Sequence, residues 1–184
     1  MIPIASLQNI HAGRPAAVLG GGPSLPADLP RVPPGAVLIS VNHHALRYIH
    51  ADYTVFLDDL ARMPMPGDEI RSKGGLFVTR QPEMDIDLGG STWWQGRFSS
   101  HLACWFACWL GCSPVLLCGM DLYRNPIPPG DDPRNQAYQT PLAEHLAGWR
   151  EAFQRCPHPE RIRAMSGPLV AIFGKWQASP LLQS

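Results

Sequence analysis

The sequence predicts an α/β fold in which one doubly wound, mostly parallel sheet carries helices on both faces. Short apolar runs alternate with helical patterns, the runs are continuously apolar, and each ends at polar or glycine residues. Continuous apolar character suits strands that are covered on both faces, and alternation of strands with helices favours a parallel sheet. The predicted strands are 16–20, 36–42, 53–59, 76–80, 114–121 and 161–166.

Helical patterns separate these strands at 99–111 and 140–156, and a short helix is expected within 167–176. The first begins with hydroxyl residues and ends at a glycine, as a capped helix does. The second has Thr140 as its predicted N-cap and Pro141 at its first helical position, with apolar residues on one face. The whole pattern is typical of a Rossmann-like sandwich.

Length and composition set the broad class. The chain has 184 residues, 45% of them hydrophobic, and no internal repeat or linker. These features predict one domain over residues 1–184 with a sizeable core. The formal net charge is zero and there is no run of Lys or Arg, which argues against a nucleic-acid partner.

The predicted compartment is the cytoplasm. The N-terminus lacks a charged segment followed by an apolar one, so no signal peptide is expected. The longest apolar stretch, 102–119, is too short and too broken to span a membrane. The five cysteines lie within apolar segments without a CxxC pair or a companion histidine. We interpret them as free core thiols rather than metal ligands, and such thiols favour a reducing compartment.

Ligands of doubly wound sheets bind beyond the carboxyl ends of the strands, where the first candidate segment is the glycine run 20–22 followed by Pro23 and Ser24. This segment matches neither the GxGxxG nor the GxxxxGKS type of phosphate loop. Glycines let a ligand approach the backbone, and exposed N–H groups beside a serine hydroxyl suit a phosphate or a base edge. A plain strand-to-helix turn explains the same residues equally well.

Further motifs follow in order: ISVNHHA at 39–45, SSHLACWFACWLG at 99–111, VLLCGMDLYRN at 115–125 and AMSGPL at 164–169. Together with GGGPSL, this series resembles the bacterial CMP-sialic-acid transferases, the motility-accessory-factor glycosyltransferases and the hydroxymethylpterin pyrophosphokinase-like proteins. The resemblance covers roughly residues 16–172. It implies a nucleotide-sugar donor of the CMP type, metal-independent transfer to an acceptor hydroxyl, and no resident cofactor.

The resemblance also implies which residues bind the nucleotide. The Gly-Pro-Ser loop lies against the nucleotide in these families, an Asn ends the next strand, and a Ser-Gly pair at the central helix holds the phosphate. This chain has Ser100 where the families have that glycine. The implied nucleotide-binding residues are Gly21, Gly22, Pro23, Ser24, Asn42, Ser99, Ser100, Gly119 and Asp121.

Three residues are the implied catalytic set. Tyr123 in GMDLY matches a tyrosine that donates a hydrogen bond to the leaving phosphate, and Tyr138 substitutes for a second tyrosine whose place falls near 128–129. The catalytic histidine of the transferases stands at a helix entrance, and His145 lies one turn further into the predicted helix. His145 is either the general base or a surface histidine.

Other polar residues after the strands have two interpretations each. One of His43 and His44 contacts a ligand beside Asn42, or both face solvent. Asp58 and Asp59 hold a ribose or Mg²⁺, or they begin a turn. The Asp-Ile-Asp sequence at 85–87 imitates the DxD metal motif of other glycosyltransferases but falls in a predicted loop, so we assign no metal site.

Three functions remain open. The first is the CMP-sugar transferase. The second is an ATP- and Mg²⁺-dependent pterin-type pyrophosphokinase, whose carboxylates would be Asp58, Asp59, Asp121, Asp131 and Asp132. The third is a nucleotide-binding module without catalysis, because only segment 124–140 is available as an acceptor lid. The Trp93–Trp94 pair suggests an acceptor platform, a contact between two copies of the chain, or core packing.

Overall fold

Eight strands in the described part of the chain form a single sheet in which every neighbouring pair is parallel. The computed structural model describes residues 1–89, 98–123, 127, 136–154, 156 and 158–177. The strands are β1 Ile2–Pro3, β2 Ala16–Leu19, β3 Val37–Val41, β4 Tyr53–Val55, β5 Leu76–Val78, β6 Ile86–Asp87, β7 Val115–Cys118 and β8 Ile162–Ala164. Their order across the sheet is β1-β6-β5-β4-β3-β2-β7-β8.

Helices connect and cover the strands. They are α1 Leu25–Asp28, α2 Gly67–Lys73, α3 Ser99–Trp109, α4 Gln136–Gln139, α5 Leu142–Phe153 and α6 Val170–Phe173. Short 3₁₀ turns lie at Ile4–Leu7, Leu29–Arg31, His44–Arg47, Leu60–Arg62 and Pro159–Arg161.

The central strand β2 shows how the two faces of the sheet are covered. Ala16 and Val18 belong to the hydrophobic core that includes α3 and the apolar face of α5. Ala17 and Leu19 point the other way, into a second cluster with Leu25 of α1. Because all four side chains are buried, the strand carries no polar face, and the predicted α/β class with helices on both faces is confirmed.

The strand predictions locate six of the eight described strands, including the edge strand β8, and miss the two-residue strands β1 and β6. The observed strands are shorter than the apolar runs, and 53–59 contains only three strand residues. The two-residue strands β1 and β6 and the short helices α1, α2 and α4 carry too little pattern to be predicted. Thr140 was the wrong N-cap, because Pro141 holds that position in an extended conformation and its carbonyl accepts from the first helical N–H groups.

The sheet reverses its direction of growth beside β2. The chain places β3, β4 and β5 on one side of β2, and it returns to place β7 and β8 on the other side. The loops after β2 and β7 therefore leave neighbouring strands in opposite directions. Such a switch point forms a crevice at the carboxyl edge of the sheet, where doubly wound folds bind ligands.

A buried carboxylate joins the loops that border this crevice. Asp28, only 1% exposed, accepts hydrogen bonds at Oδ2 from the Gly119 backbone N–H at 3.0 Å and from the Ser166 hydroxyl at 2.7 Å. The Ser24 hydroxyl lies 3.3 Å from the same oxygen, and Arg31 Nη1 lies 3.6 Å from Oδ1. We call this set the Asp28 clamp, and it ties together the segments that follow β2, β7 and β8.

All five cysteines are buried free thiols, as predicted. Cys108 and Cys156 bring their sulfur atoms to 3.9 Å, and burial raises the pKa of Cys112 to about 12. None of the helices within the described ranges is both long and apolar enough to cross a membrane.

We expect Asp28→Ala to lower the free energy of unfolding by about 3 kcal/mol, because it leaves the Gly119 N–H and the Ser166 hydroxyl without their acceptor. Urea denaturation followed by circular dichroism measures the change. The control is Asp58→Ala, an exposed aspartate after β4, which should change stability by less than about 0.5 kcal/mol. Equal stability losses in both variants would contradict the role of the clamp.

Candidate functional site

The glycine run after β2 lies against other parts of the same chain. A Cβ atom at Gly20 would lie 2.5 Å from the Gly119 carbonyl oxygen, and one at Gly21 would lie 2.5 Å from the His44 ring. A Cβ at Gly22 would overlap the Asp121 carboxylate. The loops after β2, β3 and β7 therefore pack too closely for a side chain at any of these three positions. This close packing explains the glycine run as a strand-to-helix turn, without reference to a ligand.

The donors of the Gly-Pro-Ser loop are engaged by Asp121. The Ser24 backbone N–H donates to Asp121 Oδ2 at 3.0 Å, and the Ser24 hydroxyl lies 2.8 Å from the same oxygen. A Cβ added at Gly167, after β8, would lie 3.3 Å from Asp121 Oδ1. Asp121 thus lies between two glycine-containing loops. Its carboxylate accepts hydrogen bonds from the Ser24 N–H and hydroxyl, the donors that the sequence analysis predicted to bind a ligand.

Backbone conformations that side chains disfavour follow two of the strands. Asn42 after β3 has φ 55°, and Leu122 and Tyr123 after β7 have φ 55° and 58°. Asn tolerates this left-handed region, but Leu and Tyr adopt it at a cost of about 1–3 kcal/mol each. Non-glycine residues held there concentrate at functional sites, because the surrounding structure must enforce them.

The three predicted catalytic residues form one cluster. The Tyr123 ring stacks on the His145 ring with centroids 5.1 Å apart, and the Tyr138 ring meets Tyr123 edge-on at 5.3 Å. Phe98, which precedes α3, lies 6.2 Å from Tyr123 and 6.1 Å from His145. We call these four residues the aromatic cluster. It joins the segment after β7, helices α4 and α5, and the beginning of α3.

His145 is held in one tautomer within this cluster. Its Nε2 lies 2.9 Å from the Ala137 carbonyl oxygen, and because a carbonyl only accepts, Nε2 carries the hydrogen. The lone pair of the neutral ring is then on Nδ1. His145 is 3% exposed, so the alternative of a surface histidine is wrong.

The two serines assigned to the phosphate open α3. Ser99 is buried, and its Oγ accepts a hydrogen bond from the Leu57 backbone N–H at 3.1 Å, while Ser100 is half-buried. Leu57 follows β4, so this bond holds the N-terminus of α3 at the carboxyl edge of the sheet. The positive end of the helix dipole therefore lies at the same edge as the glycine loop and the aromatic cluster.

The end of β3 contains polar atoms that are buried without hydrogen bonds. His43 is 3% exposed, and its Nδ1 and Nε2 make no hydrogen bond, nor does Oδ1 of Asn42. The solvent-facing alternative is therefore wrong for His43. Its ring lies 4.1 Å from the His44 ring. Burial, reinforced by the neighbouring His44 and Arg47, lowers the pKa of His43 to about 3.

The candidate metal carboxylates have structural partners or lie apart. Asp59 accepts from the Ala61 N–H at 2.9 Å and caps a 3₁₀ turn, which supports the turn interpretation, and Asp58 is exposed. Asp85 accepts from the Phe77 N–H at 2.8 Å and pairs with Arg71. Residues 86 and 87 form strand β6, so that part of 85–87 is not the predicted loop, and Asp85 directly precedes the strand.

Among the described residues, no three His, Cys, Asp or Glu side chains are close enough to hold a metal ion. Several predictions fall outside those residues, namely Trp93, Trp94, Asp131, Asp132 and the positions 128–129. Of the predicted lid at 124–140, only residue 127 and residues 136–140 are described.

Comparisons with protein-family models, with curated proteins and with solved structures gave no match for this chain. The chemistry proposed below therefore depends on the geometry of the crevice and on the motifs in the sequence.

Three residues of the site escaped the sequence analysis. Asp28 follows the glycine run by a few positions, and an acidic residue in the first turn after such a loop was a usable signal. Phe98 directly precedes the serines of α3, and Gly167 lies within AMSGPL. The sequence offers no sign that these two residues contact the aromatic cluster and Asp121, because both contacts join segments far apart in the chain.

A matched pair of glycine substitutions tests the packing of the loop. We expect Gly22→Ala to lower the free energy of unfolding by about 2 kcal/mol or more, because its Cβ would overlap Asp121 and lie 2.7 Å from the Gly119 carbonyl oxygen. Gly148→Ala in α5 meets nothing within 4 Å and should raise it by about 0.5–1 kcal/mol. Urea denaturation of both variants measures the change in the free energy of unfolding. An unchanged value for Gly22→Ala would show that the loop can accommodate a Cβ atom at this position.

The buried His43 ring predicts a pH dependence of stability. Its pKa in the folded protein, about 3, is below the value near 6.5 of the unfolded chain, so acid favours the unfolded chain, which binds the proton. The free energy of unfolding is therefore unaffected by this ring above about pH 6.5, and it decreases as the pH falls from there toward 3. We expect His43→Leu to lose less stability than the parent protein between about pH 7.5 and 4.5. Parallel denaturation curves across that range would contradict the burial of a neutral ring.

Proposed function

We propose that this protein is a nucleotide-sugar glycosyltransferase that takes a CMP-sugar donor and transfers the sugar to an acceptor hydroxyl without a metal ion. The observation that carries the proposal is the aromatic cluster. Tyr123, Tyr138 and His145 come from separate segments, were selected from the sequence for catalytic roles, and meet at one place. A chance set of three residues has no reason to converge at the carboxyl edge of the sheet, where this fold class binds ligands.

In this proposal the nucleotide lies in the crevice at the switch point. Gly21 and Gly22 form the wall on the β2 side, and the phosphate points away from the Asp121 carboxylate. The N-terminus of α3, with Ser99 and Ser100, is the electropositive part of the edge and receives the phosphate. Tyr123, linked to α3 through the Phe98 ring, stands beside that position.

The transfer step then needs one base and one group that stabilises the departing charge. His145 Nδ1 takes the proton of the acceptor hydroxyl while its oxygen forms a bond to the anomeric carbon. The bond between that carbon and the phosphate oxygen breaks, and its electron pair leaves with the nucleotide. The Tyr123 hydroxyl donates a hydrogen bond to that phosphate. Tyr138 packs edge-on against Tyr123 and keeps its ring in place.

One observation favours the second candidate, the Mg²⁺-dependent pyrophosphokinase. The Asp121 carboxylate faces the glycine loop, and a phosphate placed there would be repelled unless a divalent cation joined the two groups. Titration calorimetry with CMP, CDP, UDP, GDP and ATP, each with and without Mg²⁺, separates the candidates. CMP or CDP binding in EDTA supports the transferase. Binding of ATP that requires Mg²⁺ supports the kinase, and binding without turnover of any donor supports the non-catalytic module.

The base is tested by His145→Gln. We expect cleavage and transfer of a CMP-sugar to fall roughly 10²- to 10⁴-fold while CMP affinity stays within a few-fold, because the ring acts on the acceptor and not on the nucleotide. The measurement is CMP release with a panel of acceptor alcohols, alongside titration with CMP. His50→Gln, at an exposed histidine after the turn that follows β3, is the matched control and should keep full activity. Unchanged turnover in His145→Gln would rule out the proposed base.

A further inference from the structure

We propose that His43, together with Asn42, hydrogen-bonds the uncharged nucleoside part of the ligand, so that the end of β3 receives the base or the ribose and not the phosphate. This inference rests on the proposed function, since it assigns one part of the nucleotide to one part of the same crevice. It goes beyond that function because it names the group that the site recognises and the two residues that recognise it.

Both nitrogens of the His43 ring are buried and make no hydrogen bond, which destabilises the folded chain. The buried polar groups on the adjacent strands are satisfied by contrast. Ser40 donates to the Asn42 carbonyl at 2.8 Å, and Thr54 donates to the Gly74 carbonyl at 2.7 Å. Unlike these two hydroxyls, the His43 ring has no hydrogen-bond partner, and a buried polar group without a partner calls for an explanation.

The His43 ring lies close to the glycine loop. The His43 ring lies 4.1 Å from the His44 ring, and the His44 ring touches the place where Gly21 would carry a Cβ. One ring therefore separates His43 from the glycine loop. Asn42, its neighbour, is held by a hydrogen bond from its backbone N–H to the Val55 carbonyl at 3.0 Å and adopts φ 55°. The Asn42 Oδ1 is also buried without a hydrogen-bond partner.

The unpartnered atoms of His43 and Asn42 suit a ligand group that donates a hydrogen bond. A neutral imidazole offers one donor and one acceptor, and the Asn42 Oδ1 can only accept. A phosphate at neutral pH is an acceptor and satisfies neither acceptor atom. A base amino or imino group, or a ribose hydroxyl, supplies the required N–H or O–H donor. The ring also stays uncharged at physiological pH, because burial with His44 and Arg47 nearby depresses its pKa, so it offers a phosphate no positive charge.

The test compares the parent protein with His43→Leu and with the exposed control His50→Leu. We expect His43→Leu to bind CMP about tenfold more weakly or worse. Its melting temperature near pH 7.5 should rise by about 2–4 °C, because an apolar side chain of similar size removes two unsatisfied polar atoms. If His43 has only a structural role, His43→Leu should instead lower the melting temperature and leave the CMP affinity unchanged.

Two further ligands show whether the base or the ribose donates the hydrogen bond to this site. If the base supplies it, ribose 5-phosphate, which lacks the base, should bind the parent and His43→Leu equally. If the ribose 2′-hydroxyl supplies it, 2′-deoxy-CMP should bind both equally, while CMP still distinguishes them. Either pattern supports the inference.

Three results would overturn it. Equal CMP affinity in the parent and His43→Leu would remove His43 from recognition and leave the proposed function standing. Weaker binding of inorganic pyrophosphate by His43→Leu would place the phosphate at the end of β3. A lower melting temperature for His43→Leu would show that the ring is held by the fold. If the parent binds none of these ligands, the proposed function fails together with this inference.

Discussion

The crevice depends on one buried carboxylate. Asp28 accepts hydrogen bonds from Gly119 and Ser166, and it does so from the helix that follows the glycine loop. Three strand ends that are distant in the chain are thereby drawn to one point. That convergence is what brings Gly22 and Gly167 against Asp121 and leaves no room for a side chain at Gly22. The glycine run of this protein is a consequence of how tightly these loops are pulled together.

The carboxyl edge of the sheet contains a negatively charged, an uncharged and an electropositive region. Asp28 and Asp121 concentrate negative charge on the side of β2 and β7, and the ring of His43 contributes no charge at the end of β3. The N-terminus of α3, held at this edge through Ser99 and Leu57, is the electropositive end of a buried helix. If the proposed nucleotide binds here, its charge lies only at the phosphate, so these three surroundings favour an orientation with the phosphate at α3 and the nucleoside toward β3.

The sequence predicts the part of this structure that periodicity encodes. Six of the strands are continuous apolar runs, and the rule that ligands bind beyond strand ends selected Asn42 and Tyr123, which follow β3 and β7 at one edge of the sheet. His145 was assigned through the resemblance, and the structure brings its ring against Tyr123. Strands β1 and β6 have two residues each and carry no readable period. The hydrogen bonds from Ser24 to Asp121 and the burial of His43 could not be predicted from the sequence either. Both depend on side-chain directions in loops, which are set by tertiary contacts and not by local pattern.

Several energetically costly features of the fold lie at the edge of the sheet that carries the candidate site. Leu122 and Tyr123 hold left-handed conformations after β7, and His43 is buried with unsatisfied nitrogens after β3. Each costs on the order of 1–3 kcal/mol, a substantial fraction of the stability of a typical domain. The Asp28 clamp and the buried strand β2, which pairs with both β3 and β7, contribute stability that offsets this cost. The presence of these costly features together at one edge supports the proposal that this edge binds a ligand.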